Sequence, residues 1–283
     1  MQKQEGFLAG VRGNRLYHQR WLPEGGTKAG LVVAHGLAEH SGRYGNLIDR
    51  FVPKGYAVYG IDHVGHGKST GQRLYVERFG DYADSLSGFL DSVRELQPGK
   101  PLFLVGHSMG GLIAALTLLD QQGGLSGAVL SGPAIKAPGD LPPAVLRIGR
   151  LLSRLCPRLG LVPVSAEGVS RDPRVVEAYI NDPLVSRGRI TARLGMEILA
   201  AMAQVRREAA RITLPLLIVQ GGADRLVDPA GARLFYDAVA SADKRLILYE
   251  GLYHEVFNEP ERHRVLTDVE QWLEAHLNRE QGG

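Results

Sequence analysis

The 283-residue chain has a single cysteine, Cys156. One thiol cannot close an intramolecular disulfide, and zinc sites built on several cysteines are excluded with it. This usage fits a reducing compartment, and the expected location is cytoplasmic. No apolar run approaches the ~20 residues that a spanning helix needs. The opening segment MQKQEGFLAG lacks the apolar stretch of a secretory signal. Charge of one sign is also scarce: the net charge is +3 and the basic residues form no long run, so nucleic acid is not an expected partner. Internal repeats and low-complexity tracts are missing. What remains is ordinary globular composition, 44% hydrophobic and 22% charged, enough for one large domain or a core with an insertion.

Short apolar runs recur at 30–34, 56–60, 101–105, 127–130, 215–219 and 245–249. None alternates apolar with polar, so each is expected to be buried on both faces, as in a parallel sheet covered by helices. Two earlier strands, 6–12 and 15–21, are expected to form a hairpin at Gly13-Asn14. Helical patterns cover about 81–97 (with Asp81 as cap), 109–121, 229–240 and 261–278. This alternation predicts a doubly wound α/β fold. It fails between about Lys136 and Arg207, a stretch rich in Pro, Arg and Leu without a run of the buried-strand type. That stretch is read as a mostly helical cap over the C-terminal sheet edge, where open α/β folds bind ligands. The expected organisation is a core of residues 1–135 and 208–283 with a cap insertion at 136–207.

Gly106-His107-Ser108-Met109-Gly110 follows one apolar run directly and opens a helix. This context marks the nucleophile elbow of an α/β-hydrolase: mostly parallel central sheet, flanking helices and, here, a helical cap. The strand must turn sharply, with Ser108 strained at the apex and glycine at 106 and 110 to avoid collision. A serine hydroxyl needs a base to take its proton. This fold class supplies serine, acid and histidine in that chain order. Asp224 follows the 215–219 run and His254 follows the 245–249 run, so Ser108, Asp224 and His254 are the candidate triad. Asp228 is the rival acid, or the cap of the helix beginning at Pro229. His263 and His276 read as solvated helix residues. The Met109 amide, at a helix N-terminus, and the Leu37 amide, after the 30–34 run, are the candidate oxyanion donors. His35 is placed behind that loop. His35, His40, His63 and His66 lack zinc-ligand spacing, so no metal and no cofactor are expected.

At these residues a family becomes recognisable. The runs HGLAEHSGRY (35–44), DHVGHGKS (62–69), GHSMGG (106–111), YINDPL (179–184), GADRL (222–226) and YEGLYH (249–254) resemble, in order, those of the monoacylglycerol lipase and lysophospholipase-like α/β-hydrolases. The resemblance implies hydrolysis of a small lipid ester, a monoacylglycerol, to glycerol and fatty acid, with Ser108, Asp224 and His254 as the triad. A lysophospholipase or broad carboxylesterase is the enzymatic alternative, and a catalytically silent binding module the other. Glu39 and Arg43 are candidates to bind glycerol hydroxyls or to pair across their loop. Ile135, Tyr179, Ile198, Leu226 and Val227 are candidate pocket residues or plain core.

In the cap, Val145, Ile148, Leu152 and Leu155 share one helical face, and Arg147, Arg150 and Arg154 another. The arrangement is read chiefly as a helix packed on the core with a solvated basic face. A lid, and peripheral contact with a membrane or micelle, are the other two readings.

Overall fold

A computed structural model describes residues 1–139 and 141–280. The chain opens with β1 (Gln2–Ala9), β2 (Arg15–Leu22), β3 (Ala29–Ala34), α1 (Gly45–Phe51), β4 (Tyr56–Ile61) and α2 (Gly80–Leu96). It continues through β5 (Leu102–His107), α3 (Met109–Asp120) and β6 (Gly127–Ser131). Then come α4 (Pro143–Leu155), β7 (Gly160–Pro163), α5 (Pro173–Asn181), β8 (Arg189–Thr191) and α6 (Ala192–Glu208). The last elements are β9 (Leu216–Gly221), α7 (Ala230–Ala238), β10 (Lys244–Tyr249) and α8 (Arg262–Glu280). The apolar runs form one eight-stranded sheet in the order β1-β2-β4-β3-β5-β6-β9-β10. β1 and β2 are antiparallel to their neighbours, and every pairing from β4 to β10 is parallel.

Every residue of β3 to β6 and of β9 is buried, as runs without polar alternation require. Alternate side chains feed two cores. Leu31, Val33, Phe103, Val105, Leu217 and Val219 pack with α1 and α8, while Val32, Leu102, Leu104, Leu130, Leu216 and Ile218 pack with α2 and α3. β10 departs from the expectation: it is an edge strand, and Leu248 is exposed. The parallel register matters most for the site. Ala34 pairs with Gly106, His107 with Ser131, Ser131 with Val219, and Gly221 with Tyr249, so the loops leaving β3, β5, β9 and β10 emerge along one edge.

Four local expectations are corrected. β1 ends at Ala9, and a one-turn helix at Val11–Gly13 joins it to β2; the positive φ values fall on Arg12 and Gly13, while Asn14 stays extended. Asp81 lies inside α2 and caps nothing; it accepts from Arg12 and Arg78. His276 is buried, between the Trp272 carbonyl at 2.6 Å and Asp243 at 3.1 Å. The segment between β6 and β9 carries, besides its helices, the antiparallel ribbon of β7 and β8.

The apolar side of α4 is also not packed on the core. Ile148 and Leu155 are 58% and 71% exposed, and Val145 stands at 50%. The inward side is narrower, with Ser153 buried and Gly149 close against Met196. α6 behaves differently. Thr191 caps it by accepting from Leu194 N, and Leu194, Met202 and Val205 enter the main core.

Candidate active site

Ser108 sits between β5 and α3 with φ 54° and ψ −121°, a region that L residues avoid. The strain is held from several sides. Ser108 N donates to Ser131 O at 2.9 Å, and Ser108 O accepts from Leu112 N and Ala134 N. Glycine is required on both flanks. A Cβ at Gly106 would meet Gly110 O at 2.7 Å, and one at Gly110 would meet Ala34 O at 2.0 Å. The second contact is with the end of β3, so Gly110 sets how closely α3 approaches the 35–38 loop. Gly110→Ala is expected to cost about 3 kcal/mol in urea unfolding, the upper range for overpacking. Gly88→Ala in α2, where a Cβ meets nothing, should be neutral or slightly stabilising.

Asp224 is buried beyond the end of β9, where both carboxylate oxygens are engaged. Oδ2 accepts from His254 Nδ1 at 2.6 Å and from Gln220 Nε2 at 2.9 Å. Oδ1 accepts from the Leu226 and Val227 amides at 2.9 and 3.1 Å. Burial pushes this carboxyl up, but the His254 ring and the two amides outweigh it and leave its pKa below the usual value. Asp228 is used elsewhere: it accepts from Ala230 N and pairs with Lys136 at 2.6 Å. With Nδ1 of His254 directed at Asp224, Nε2 is the nitrogen left for a proton from Ser108. Among the described residues no hydrogen bond joins Ser108 to His254. The two face one cavity, and such contacts tighten when substrate enters.

That cavity, of about 470 Å³, is walled mainly by apolar side chains of α4, β7 and α6. Leu37, Met109, Glu39, Tyr179, Ile198, Leu226 and Val227 all line it. Among the described residues no backbone hydrogen bond engages the Leu37 or Met109 amide. Two candidates lie outside the cavity. Ile135 is fully buried in the core, and its carbonyl accepts from Arg206. Arg43 borders a small adjoining void together with Tyr44, Glu255 and Phe257.

The loop after β3 is braced by polar groups. Glu39 Oε1 accepts from Gly36 N at 2.6 Å and from the Tyr44 hydroxyl at 2.8 Å. Arg43 Nη1 reaches Glu39 at 2.9 Å and Glu255 at 2.7 Å, and its guanidinium lies 4.6 Å from the Tyr179 ring centroid. Of the two alternatives for Glu39 and Arg43, this geometry is the pairing one. It ties the loop after β3 to the residue that follows His254. Burial raises the Glu39 carboxyl, but Arg43, His107, His35 and the Gly36 amide hold it down at about 2. An acid depressed below its ordinary 4.5 stabilises the fold above that pH, and the contribution fades as pH falls through the folded value. Glu39→Gln should therefore melt lower than wild type at pH 7. Its deficit should narrow between about pH 4.5 and about pH 2; an unchanging deficit across that window would assign the effect to packing.

His35 stands behind the same loop, with Nδ1 2.7 Å from Gly36 O and Nε2 accepting from His63 N at 2.9 Å. Burial lowers the pKa of His35, His63 and His66, the last to about 3. His40 turns away to Asp182. Among the described residues no cluster of His, Cys, Asp and Glu is disposed to hold a metal ion.

A family model described as serine aminopeptidase, S33 matches residues 25–261. A monoacylglycerol lipase of Mycolicibacterium smegmatis is 39% identical over 275 residues, spanning 97% of this chain and 98% of that protein. This chain belongs to the monoacylglycerol lipase-like α/β-hydrolases. The human monoglyceride lipase is 37% identical over 269 residues, 94% of this hydrolase and 89% of its own length. The crystal structure of a Paleococcus ferrophilus monoacylglycerol lipase matches with a TM-score of 0.81 at 34% identity, over 92% of this hydrolase and 99% of that chain.

Four residues at this hydrolase's site escape sequence reasoning. Gln220 carried a signal as the one polar side chain in an otherwise apolar strand. Tyr44 and Glu255 adjoin candidate residues in sequence but show no pattern of their own. His107 is visible only as a variable position of the elbow; its Nδ1 lies 3.0 Å from Ser131 O and its ring lies 4.8 Å from that of His254, tilted by 49°.

Proposed function

We propose that this hydrolase cleaves monoacylglycerols to glycerol and fatty acid through an acyl-enzyme on Ser108. The observation that supports it most is the cavity: Ser108 and His254, together with Leu37 and Met109, line one mainly apolar cavity of about 470 Å³, which suits an acyl chain whose ester lies beside the serine. His254 Nε2 takes the Ser108 proton as Oγ attacks the ester carbonyl. The Leu37 and Met109 amides receive the oxyanion. The imidazolium, steadied by Asp224, returns its proton to the departing glycerol oxygen. Water then attacks the acyl-enzyme with His254 again as base, releasing the fatty acid and restoring Ser108. No cofactor enters this scheme.

In the same reading, residues 136–207 act as the cap that shapes the acyl site, and the outward face of α4 meets a membrane or micelle. Ile148, Leu151 and Leu155 stand exposed there beside Arg147 and Arg154. No helix among the described residues is long and apolar enough to cross a membrane, so such contact would be peripheral. The lone thiol of Cys156, exposed at the end of α4, suits a reducing cytoplasm.

The deciding experiment compares rates on monoacylglycerols, di- and triacylglycerols, a lysophospholipid and short p-nitrophenyl esters. Highest kcat/KM on monoacylglycerols is expected. A preference for lysophospholipid or for short esters would replace the substrate assignment while leaving the esterase chemistry. A fluorophosphonate probe that labels neither wild type nor Ser108→Ala would instead mark a binding module.

A further inference from the structure

Away from the cavity, the loop before α2 and the β7–β8 ribbon enclose a second groove of about 560 Å³. Four arginines line it: Arg73 from the loop, Arg158 from the α4–β7 connection, Arg187 ahead of β8, and Arg189 within β8. No carboxylate is among its lining residues. The partners seen for these guanidiniums are neutral. Arg73 donates to Gly67 O at 2.6 Å, Arg189 donates to Leu161 O at 2.8 Å, and Arg158 lies 5.6 Å from the Tyr75 ring centroid. Glu77, the acid nearest in sequence to Tyr75, is engaged by that tyrosine's hydroxyl and by Arg193.

The groove is a fixed feature of the fold. Thr191 donates from its amide and its hydroxyl to Leu74 O, at 3.3 and 2.8 Å. Val164 N donates to Gly188 O at 3.1 Å, and Ser186 N to Ala38 O at 2.8 Å. Four like charges held around one concavity repel each other, and an anion with several acceptor oxygens relieves that repulsion and satisfies the free donors. The surroundings indicate which anion. Exposed Leu155 and Leu159 flank Arg158 in sequence, and exposed Val162 lies two residues beyond the groove residue Gly160. An apolar rim beside a guanidinium cluster matches a phosphate whose acyl chains continue into a bilayer.

We propose that this groove binds the phosphate headgroup of an anionic phospholipid and seats the rim of the cap on a charged membrane surface. It deepens the membrane-contact reading above but needs no part of the Ser108 chemistry, so its test uses binding alone. Sedimentation with vesicles of phosphatidylcholine, and of phosphatidylcholine containing a third phosphatidylglycerol, should show tight, salt-sensitive binding only to the second. The same result is expected with Ser108→Ala, which separates this outcome from the fate of the hydrolase reading. Arg158→Gln combined with Arg187→Gln should weaken that binding about 30-fold, the sum of two headgroup-level charges. It should leave hydrolysis in neutral detergent micelles unchanged. Arg147→Gln with Arg154→Gln removes the same charge from α4 outside the groove and should weaken binding clearly less. Equal losses from the two pairs would mean diffuse attraction without a site, and the proposal would fall. It would fall equally if the vesicles bound alike, or if only inorganic phosphate bound.

Discussion

Ser108→Ala should reduce ester hydrolysis by on the order of 10⁶ in kcat, the loss seen when a triad nucleophile is removed. Urea and thermal unfolding should barely change. The two halves of that expectation have separate causes. The hydroxyl is the only group lost, and its chemistry has no substitute at the site. The fold's investment is in the backbone at 108, held by the Ser131, Leu112 and Ala134 hydrogen bonds and by the glycine contacts around it, and alanine retains all of these. The measurement pairs a rate assay with a denaturation curve. Loss of activity together with a fall in midpoint would point to a damaged turn and leave the nucleophile unassigned.

Asp224→Asn should cost about 10⁴ in kcat. Asp224 is surrounded by four donors: the His254 ring, the Gln220 amide and two backbone N–H groups. Asparagine can still accept from some of them, so the volume and much of the geometry survive. Its amide nitrogen, however, presents a donor where His254 Nδ1–H needs an acceptor. The ring is then driven to carry its proton on Nε2, the nitrogen that must receive one from Ser108. Asp228→Asn is the control, because Asp228 serves the start of α7 and Lys136. Near-normal rates are expected for it. If that variant were dead and Asp224→Asn active, the acid would have to be reassigned.

The strands of the central sheet were legible because burial on both faces leaves a signature in residue type alone, and the loops that follow them inherit their position from the strands. Residues whose place depends on a neighbour from elsewhere in the chain were less legible. β7 and β8 are only partly buried and carry no buried run. His276 looks solvated from helical spacing, yet Trp272 and Asp243 enclose it. In α4 the periodicity correctly separates an apolar face from a basic one. It cannot say which face the fold turns inward, and a glycine seated against Met196 draws a different side toward the interior. Glu39 and Arg43 show the same limit: two opposite charges four residues apart suit a ligand or each other, and Glu255, far along the chain, decides for pairing.

The hydrogen bonds from His254 N and Glu255 N to the Gly168 and Val169 carbonyls, at 3.3 and 2.7 Å, join the histidine loop to the segment between β6 and β9. At the opposite wall, Ser186 N holds Ala38 O, one residue beyond Leu37. The segment between β6 and β9 thus holds the loops on both sides of the candidate site by their main chains. Swapping or deleting it to retune chain-length preference would also release those grips. Engineering of substrate range is better confined to side chains of α4 and α6, which line the cavity without anchoring either loop.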